Sequence, residues 1–107
     1  NDPDVANFND HKLVKIVKLD HVCRQQQVNE KCFETLEQVP TEALTLTIPA
    51  LLKAKWMFCI VPFKNKSQAV YRTIHGDISE KCPASILRRK EKSSLYLDTE
   101  SAQLLNL

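Results

Sequence analysis

The stretch Trp56-Met57-Phe58-Cys59-Ile60-Val61 is a continuous apolar run in the middle of the chain. A short run of this kind is typical of a β-strand that is buried on both faces, as in a parallel sheet. Asn65 follows it and can cap a helix with apolar residues on one side, ending near Gly76. A strand that leads into a helix is the repeating unit of an α/β fold, so this stretch predicts that class.

The rest of the chain continues the alternation of strands and helices. Further strands are predicted at residues 13–19, 43–46 and 95–97, where β-branched and other apolar residues are concentrated. Helices are predicted after the capping residues Asp20, Thr47 and Thr99, the last of them over residues 99–105. We therefore expect residues 1–107 to form one α/β unit, in which a mostly parallel sheet of four strands is flanked by helices.

Composition and charge exclude several classes of function. The net charge of +2 is too small to indicate a nucleic-acid or membrane-surface partner. The longest apolar stretch, residues 56–63, is far too short to span a membrane. We therefore expect neither a nucleic-acid partner nor a membrane partner.

The cysteines and histidines do not indicate a metal site. The four cysteines are far apart and form no Cys-x-x-Cys pair, and the three histidines do not cluster at ligand spacing. Cys59 lies in an apolar run, where a buried thiol is commoner than a disulfide. These features predict reduced cysteines and a cytoplasmic protein without a bound metal.

Two basic residues follow predicted strands, at the edge where open α/β sheets bind ligands. Arg24 follows the strand that ends near Leu19, and Lys66 follows the strand that ends near Pro62. Lys66 also falls in the first turn of a predicted helix, whose free N–H groups and dipole favour an anion. Together they can form a phosphate site, although Arg and Lys at strand ends are commonly solvated surface residues.

Three tracts add a family resemblance to this interpretation. They are Cys-Arg-Gln-Gln-Gln-Val at residues 23–28, Val-Pro-Thr-Glu-Ala-Leu-Thr-Leu-Thr-Ile-Pro-Ala-Leu-Leu at residues 39–52, and Cys-Pro-Ala-Ser-Ile-Leu-Arg at residues 82–88. In this order and spacing the chain resembles the C-terminal part of the glucosamine-6-phosphate deaminase family. Its first residues, Asn1-Asp2-Pro3, resemble the end of the family motif Gly-His-Ile-Ala-Phe-Asn-Glu/Asp-Pro.

The resemblance implies a fold and a reaction. Residues 1–107 would be the C-terminal lobe of a Rossmann-like phosphosugar isomerase domain whose N-terminal half is absent. The parent reaction of amino-sugar metabolism isomerises an aldose to a ketose and releases ammonia, giving fructose 6-phosphate, without a cofactor. The partners would be the phosphosugar, the missing half and further copies in a homo-oligomer. This piece alone would be inactive, because the base that transfers the proton lies upstream.

The same resemblance assigns roles to particular residues. Asp2 would be the catalytic carboxylate that works with an upstream histidine during ring opening, while Arg24 and Lys66 would bind the sugar phosphate. Lys64 competes with Lys66 for that role. The family usually has glycine where this chain has Phe63, and a bulky side chain there can obstruct the phosphate.

Two other functions remain open. A non-catalytic phosphosugar-binding or regulatory module is favoured by Phe63 and by the presence of only one glycine in the chain. A relative of 6-phosphogluconolactonase would keep the enzyme class and change the substrate. The tracts at residues 23–28 and 39–52 favour the deaminase over this last alternative.

Overall fold

The computed structural model describes residues 5–106 and shows strands alternating with helices. The elements are β1 (Val14–Lys18), α1 (His21–Asn29), β2 (Glu42–Leu46), α2 (Ile48–Leu52), β3 (Met57–Val61), α3 (Ser67–His75) and β4 (Ser93–Leu97). Short 3-10 helices lie at Leu36–Gln38, Lys64–Lys66 and Pro83–Arg89. The predicted α/β class is confirmed.

Two of the predicted caps begin helices as expected. The carboxylate of Asp20 accepts a hydrogen bond of 2.7 Å from the backbone N–H of Cys23, in the first turn of α1. The hydroxyl of Thr47 accepts from the N–H of Ala50 and donates to the carbonyl of Lys12 at 2.7 Å. Because Thr47 is completely buried, these bonds also fix the start of α2 beneath the N-terminal end of β1.

The strands form two small sheets instead of the single four-stranded sheet that we expected. β1 and β2 pair antiparallel, with Ile16 opposite Leu44, and β3 and β4 pair parallel, with Cys59 opposite Leu95. A parallel crossover needs about a dozen residues or more, usually including a helix. Residues 62–92, which contain α3, meet this need between β3 and β4, whereas residues 47–56 between β2 and β3 are a much shorter connection.

β3 is covered on one face, so the prediction of a strand buried on both faces was wrong. Cys59 and Val61 point toward α3 and are half-buried, whereas Phe58 and Ile60 on the other face are 65% and 74% exposed. Among residues 5–106, Cys59 and Val61 on the first face line a cavity together with Val70 of α3, whereas Phe58 and Ile60 on the second face remain largely exposed. The continuous apolar run shows that both faces of the strand carry apolar side chains. It does not show that other parts of the chain bury both faces.

Two further helix predictions need correction. Residues 99–105 form turns and a bend and not a helix, and at their start the carboxylate of Asp98, and not Thr99, accepts the N–H of Ser101 at 2.7 Å. Asn65 does not cap α3, since it lies inside the 3-10 helix Lys64–Lys66 that precedes it. The buried apolar core consists of Val17, Val39, Ile48, Val70 and Ile86.

Candidate functional site

The carboxyl ends of β3 and β4 lie at one edge of the parallel sheet, where Val61 is opposite Leu97. After β3 the chain passes through Phe63 and the 3-10 helix Lys64–Lys66 into α3. This loop borders a cavity of about 430 Å³ between the sheet and α3. The cavity is therefore at the position where α/β sheets bind ligands.

The cavity has apolar walls and two charged residues. Cys59 and Val61 of β3 and Val70 of α3 contribute to the walls, and Glu30 and Lys66 contribute the charges. Glu30 and Lys66 do not form an ion pair with each other, and the Glu30 carboxylate accepts a hydrogen bond of 3.0 Å from the side chain of Gln26. The half-buried Lys66 can therefore offer its ammonium group to an anion on a ligand.

Phe63 has a backbone conformation that suits glycine. Its φ of 78° and ψ of 148° lie in a region that residues with a side chain rarely adopt. Its N–H donates a hydrogen bond of 2.9 Å to Oδ2 of Asp98, and its side chain borders the cavity while remaining 65% exposed. The backbone conformation at position 63 therefore favours glycine, and the family resemblance expects glycine at the same position.

Asp98 follows β4 and joins the ends of the two parallel strands. Its Oδ1 atom accepts the N–H of Ser101, and its Oδ2 atom accepts the N–H of Phe63. These backbone donors, that of Ser101 first, lower the pKa of the Asp98 carboxyl below its ordinary value. The carboxylate is thus the form that the loop stabilises.

Arg24 is held by the backbone away from this cavity. Its Nη2 atom donates to the carbonyls of Leu36 and Val39 at 2.9 and 3.1 Å, and its buried Nε atom has no hydrogen-bond partner in the structure. Arg24 does not line the cavity that Lys66 borders. The structure therefore does not bring Arg24 and Lys66 together in this cavity, and phosphate binding by Arg24 stays a prediction.

The remaining predicted site residues differ in their positions. Asp2 lies outside the described residues. Lys64 is exposed in the 3-10 helix that precedes α3 and does not line the cavity, so the geometry favours Lys66 over its competitor. Burial raises the pKa of the Cys59 thiol, which is a wall residue and not an activated nucleophile.

Within the part of the chain that the structure describes, no group of three or more His, Cys, Asp or Glu residues could hold a metal ion. No helix there is long and apolar enough to cross a membrane. The groups that this site offers to a ligand are Lys66, the N-terminus of α3 and the apolar walls.

Sequence reasoning missed two residues of this region, Asp98 and Glu30. Asp98 directly follows β4, so the strand-end rule that selected Lys66 could also have selected it. Glu30 gave no such signal, because it lies just after α1 and reaches the cavity through tertiary packing.

Comparison with known proteins supports the family resemblance. The glucosamine-6-phosphate deaminase of Halalkalibacterium halodurans is 39% identical over 88 residues, which are 82% of this chain and 35% of that protein. The deaminase of Clostridium botulinum is 34% identical over 106 residues, or 99% of this chain and 41% of that protein. The chain thus spans well under half the length of these relatives. No family model matches it.

A solved structure agrees with the sequence comparison. It is that of a monomeric glucosamine-6-phosphate deaminase, described as a missing link of the NagB superfamily. Its TM-score with this chain is 0.86 at 31% identity, over 96% of this chain and 41% of that chain. Sequence and backbone therefore point to the same group of proteins.

Proposed function

Because this chain belongs to the glucosamine-6-phosphate deaminase family by sequence and by fold, we propose that it binds an amino-sugar phosphate as part of such an enzyme. The parent reaction opens the sugar ring, moves a proton through an enediol and converts the aldose to a ketose. Water replaces the amino group, so that ammonia and fructose 6-phosphate are the products. The observation that carries the proposal is Lys66, half-buried beside a cavity at the carboxyl edge of the parallel strands.

In this proposal the phosphate binds at the start of α3. Lys66 immediately precedes this nine-residue helix. The N–H of Ser67, at its first position, already donates to the carbonyl of Lys64, so the helix would act on an anion mainly through the positive end of its dipole. The ammonium group and the positive end of the helix dipole both favour a dianionic phosphate. The sugar ring then lies along the apolar walls, where Val61 and Val70 can contact its C–H groups.

Arg24 is retained as a second phosphate ligand in this proposal. Its Nη2 atom is occupied by two carbonyls and its Nε atom is buried, so the phosphate would be bound by the N–H groups of Nη1. A guanidinium can bind carbonyls with one nitrogen and an anion with the others, because it carries five N–H donors.

We further propose that residues 1–107 act as the C-terminal lobe of a larger domain in the cytoplasm, with Asp2 as a catalytic carboxylate. The chain spans 35–41% of the length of the relatives, and the outer face of β3 is exposed and apolar. Both facts fit a lobe that an N-terminal half completes. The base that moves the proton would belong to the N-terminal half, so the lobe alone is expected to be inactive. In a homo-oligomer, each subunit would need both halves.

Phe63 favours one alternative, a non-catalytic phosphosugar-binding module. Its side chain borders the cavity, whereas glycine would leave room for close approach of a phosphate. Such a module would bind the sugar phosphate through Lys66 without turning it over.

Titration of the protein with glucosamine 6-phosphate tests the proposal, followed by NMR shifts of the backbone amides and by an assay for ammonia. Saturable shifts at Lys66 and Ser67 that are lost in Lys66→Ala and kept in Lys64→Ala would support the phosphate site. Shifts without ammonia fit the inactive lobe or the binding module, and ammonia release would show that the required base is present. Absence of shifts would contradict the site.

A further inference from the structure

The segment that follows β4 holds both ends of the loop that follows β3. Asp98 accepts the backbone N–H of Phe63 at 2.9 Å, and the side-chain amide of Gln103 donates to the hydroxyl of Ser67 at 3.3 Å. Phe63 and Ser67 flank the 3-10 helix Lys64–Lys66. The turn that carries Lys66 is therefore fixed at its start and at its end by one segment of chain.

The carboxylate of Asp98 is itself held in place. Its Oδ1 atom accepts the N–H of Ser101 at 2.7 Å, and its own N–H donates to the hydroxyl of Ser101 at 3.1 Å. Ser101 is completely buried, whereas the Asp98 side chain is exposed, so these bonds anchor an exposed carboxylate to a buried residue. Oδ2 of Asp98 thus presents a fixed acceptor to the loop after β3.

Phe63 needs such an acceptor because its backbone has a positive φ of 78°. A residue with a side chain relaxes out of this conformation unless its surroundings hold it there. The carbonyl of Phe63 accepts the N–H of Lys66 at 3.1 Å, so a change in the backbone conformation of Phe63 would move Lys66.

We propose that Asp98 is a positioning residue, which holds Phe63 in its glycine-like conformation and so aims Lys66 and the first turn of α3 at a phosphate group. This inference rests on the proposed function, since it concerns the same anion site. The positioning role predicts that Asp98 strengthens phosphate binding. Simple electrostatics predicts the opposite effect, because a carboxylate near a phosphate weakens binding by repulsion. The sign of the effect of removing the Asp98 charge therefore separates the two roles.

The experiment compares Asp98→Asn with Glu100→Gln, using inorganic phosphate and glucosamine 6-phosphate as probes and the amide shifts of Lys66 and Ser67 as readout. Both substitutions remove one negative charge from the same turn, but only the first also removes one of the two carboxylate oxygens that accept the N–H groups of Phe63 and Ser101. We expect Asp98→Asn to weaken binding about tenfold, the equivalent of one lost hydrogen bond to a charged group. Glu100→Gln should leave affinity unchanged or slightly raise it.

Rescue by Phe63→Gly provides a second readout. Glycine adopts the required conformation without help, so the double variant Asp98→Asn/Phe63→Gly should recover most of the lost affinity. A double variant that binds as weakly as Asp98→Asn would contradict the positioning role. Should Asp98→Asn fail to fold, Asp98→Glu keeps the negative charge and displaces the acceptor of the Phe63 N–H, so it should also weaken binding. Unchanged affinity in that variant would overturn the proposal.

The wild-type titration separates the two hypotheses. If wild-type protein binds phosphate and Asp98→Asn binds it as tightly or more tightly, the positioning role is wrong and the proposed function stands. If wild-type protein shows no shift at Lys66 and Ser67 with either probe, the phosphate site itself is wrong, and the role of Asp98 falls with it.

Discussion

The Nη2 atom of Arg24 donates a hydrogen bond of 3.1 Å to the carbonyl of Val39, and the same atom donates to the carbonyl of Leu36 at 2.9 Å. Val39 is only 2% exposed, so its carbonyl has little access to water as an alternative partner. The guanidinium thus joins α1 to the buried end of the connection that leads into β2. A residue that the family resemblance assigns to phosphate binding also has a structural role.

Arg24→Ala should therefore reduce the free energy of unfolding as well as any affinity for sugar phosphate. We expect a loss of about 1–3 kcal/mol, because two carbonyls lose a charged donor. Urea denaturation followed by circular dichroism measures this loss. Arg89→Ala, at an exposed arginine, is the matched control and should change the free energy by less than about 0.5 kcal/mol.

The affinity of Arg24→Ala has to be measured under conditions in which the variant is folded. A loss of affinity for glucosamine 6-phosphate in folded protein would support Arg24 as a ligand. Unchanged affinity together with reduced stability would leave Arg24 with its structural role alone and would remove it from the site.

Phe63→Gly should increase the free energy of unfolding. The observed φ of 78° and ψ of 148° cost a residue with a side chain about 1–3 kcal/mol, whereas glycine loses up to about 1 kcal/mol through its freer unfolded chain. The expected net gain is about 1 kcal/mol. Thermal and urea unfolding of the variant and the wild-type protein measure it.

Lys64→Gly is the control for this gain, because Lys64 is exposed and lies in the adjacent 3-10 helix. It should destabilise the protein by up to about 1 kcal/mol, as glycine does within helices. If both glycine variants lower the stability, Phe63 does not have a strained backbone in solution.

The sequence predicted those features that depend on neighbouring residues. Asp20 and Thr47 are caps because a short polar side chain can reach an N–H group two or three residues along the chain. The strand at Met57–Val61 and the end of α3 near Gly76 follow from similarly local patterns. The cationic residue that borders the cavity, Lys66, was found by its position after a strand.

The features that the sequence did not predict depend on distant partners. Strand pairing is one of them, since the apolar pattern of β1 does not say whether its neighbour runs parallel or antiparallel. Another is the end of the chain, where Asp98 bonds to Phe63, 35 residues away, and the following residues turn without forming a helix. The hydrogen bonds of Arg24 to two carbonyls could not be predicted either, because the neighbouring sequence does not show which distant carbonyls an arginine in α1 will contact.

Acid should weaken the fold partly through Asp98. Hydrogen bonds from Ser101 and Phe63 lower the pKa of this carboxyl in the folded protein, below its ordinary value of 3.8. A lowered pKa contributes stability that is fully present above the unfolded pKa and is lost as the pH falls through the folded pKa. We therefore expect the free energy of unfolding of wild-type protein to fall below about pH 4, and that of Asp98→Asn to fall less steeply.

Urea midpoints at pH 6, 4 and 3 measure this dependence, with Glu100→Gln as the control that removes another carboxylate from the same turn. Asp10 also has a lowered pKa, chiefly through its hydrogen bond with Lys15, so a residual acid dependence should persist in Asp98→Asn. Equal slopes for wild-type protein and Asp98→Asn would show that the carboxylate of Asp98 does not favour its charged form in the fold.

The two faces of the parallel sheet should respond differently to substitution. Val70 of α3 lines the cavity on the inner face and is 3% exposed, so Val70→Ala should cost about 1.5–3 kcal/mol through lost burial and a larger cavity. Ile60 on the outer face is 74% exposed, so Ile60→Thr should change the free energy of unfolding by less than about 0.5 kcal/mol. Urea denaturation at two protein concentrations measures both variants. A large cost for Ile60→Thr that grows with protein concentration would mean that another copy covers this face in solution, whereas a large cost independent of concentration would mean that the chain itself covers it.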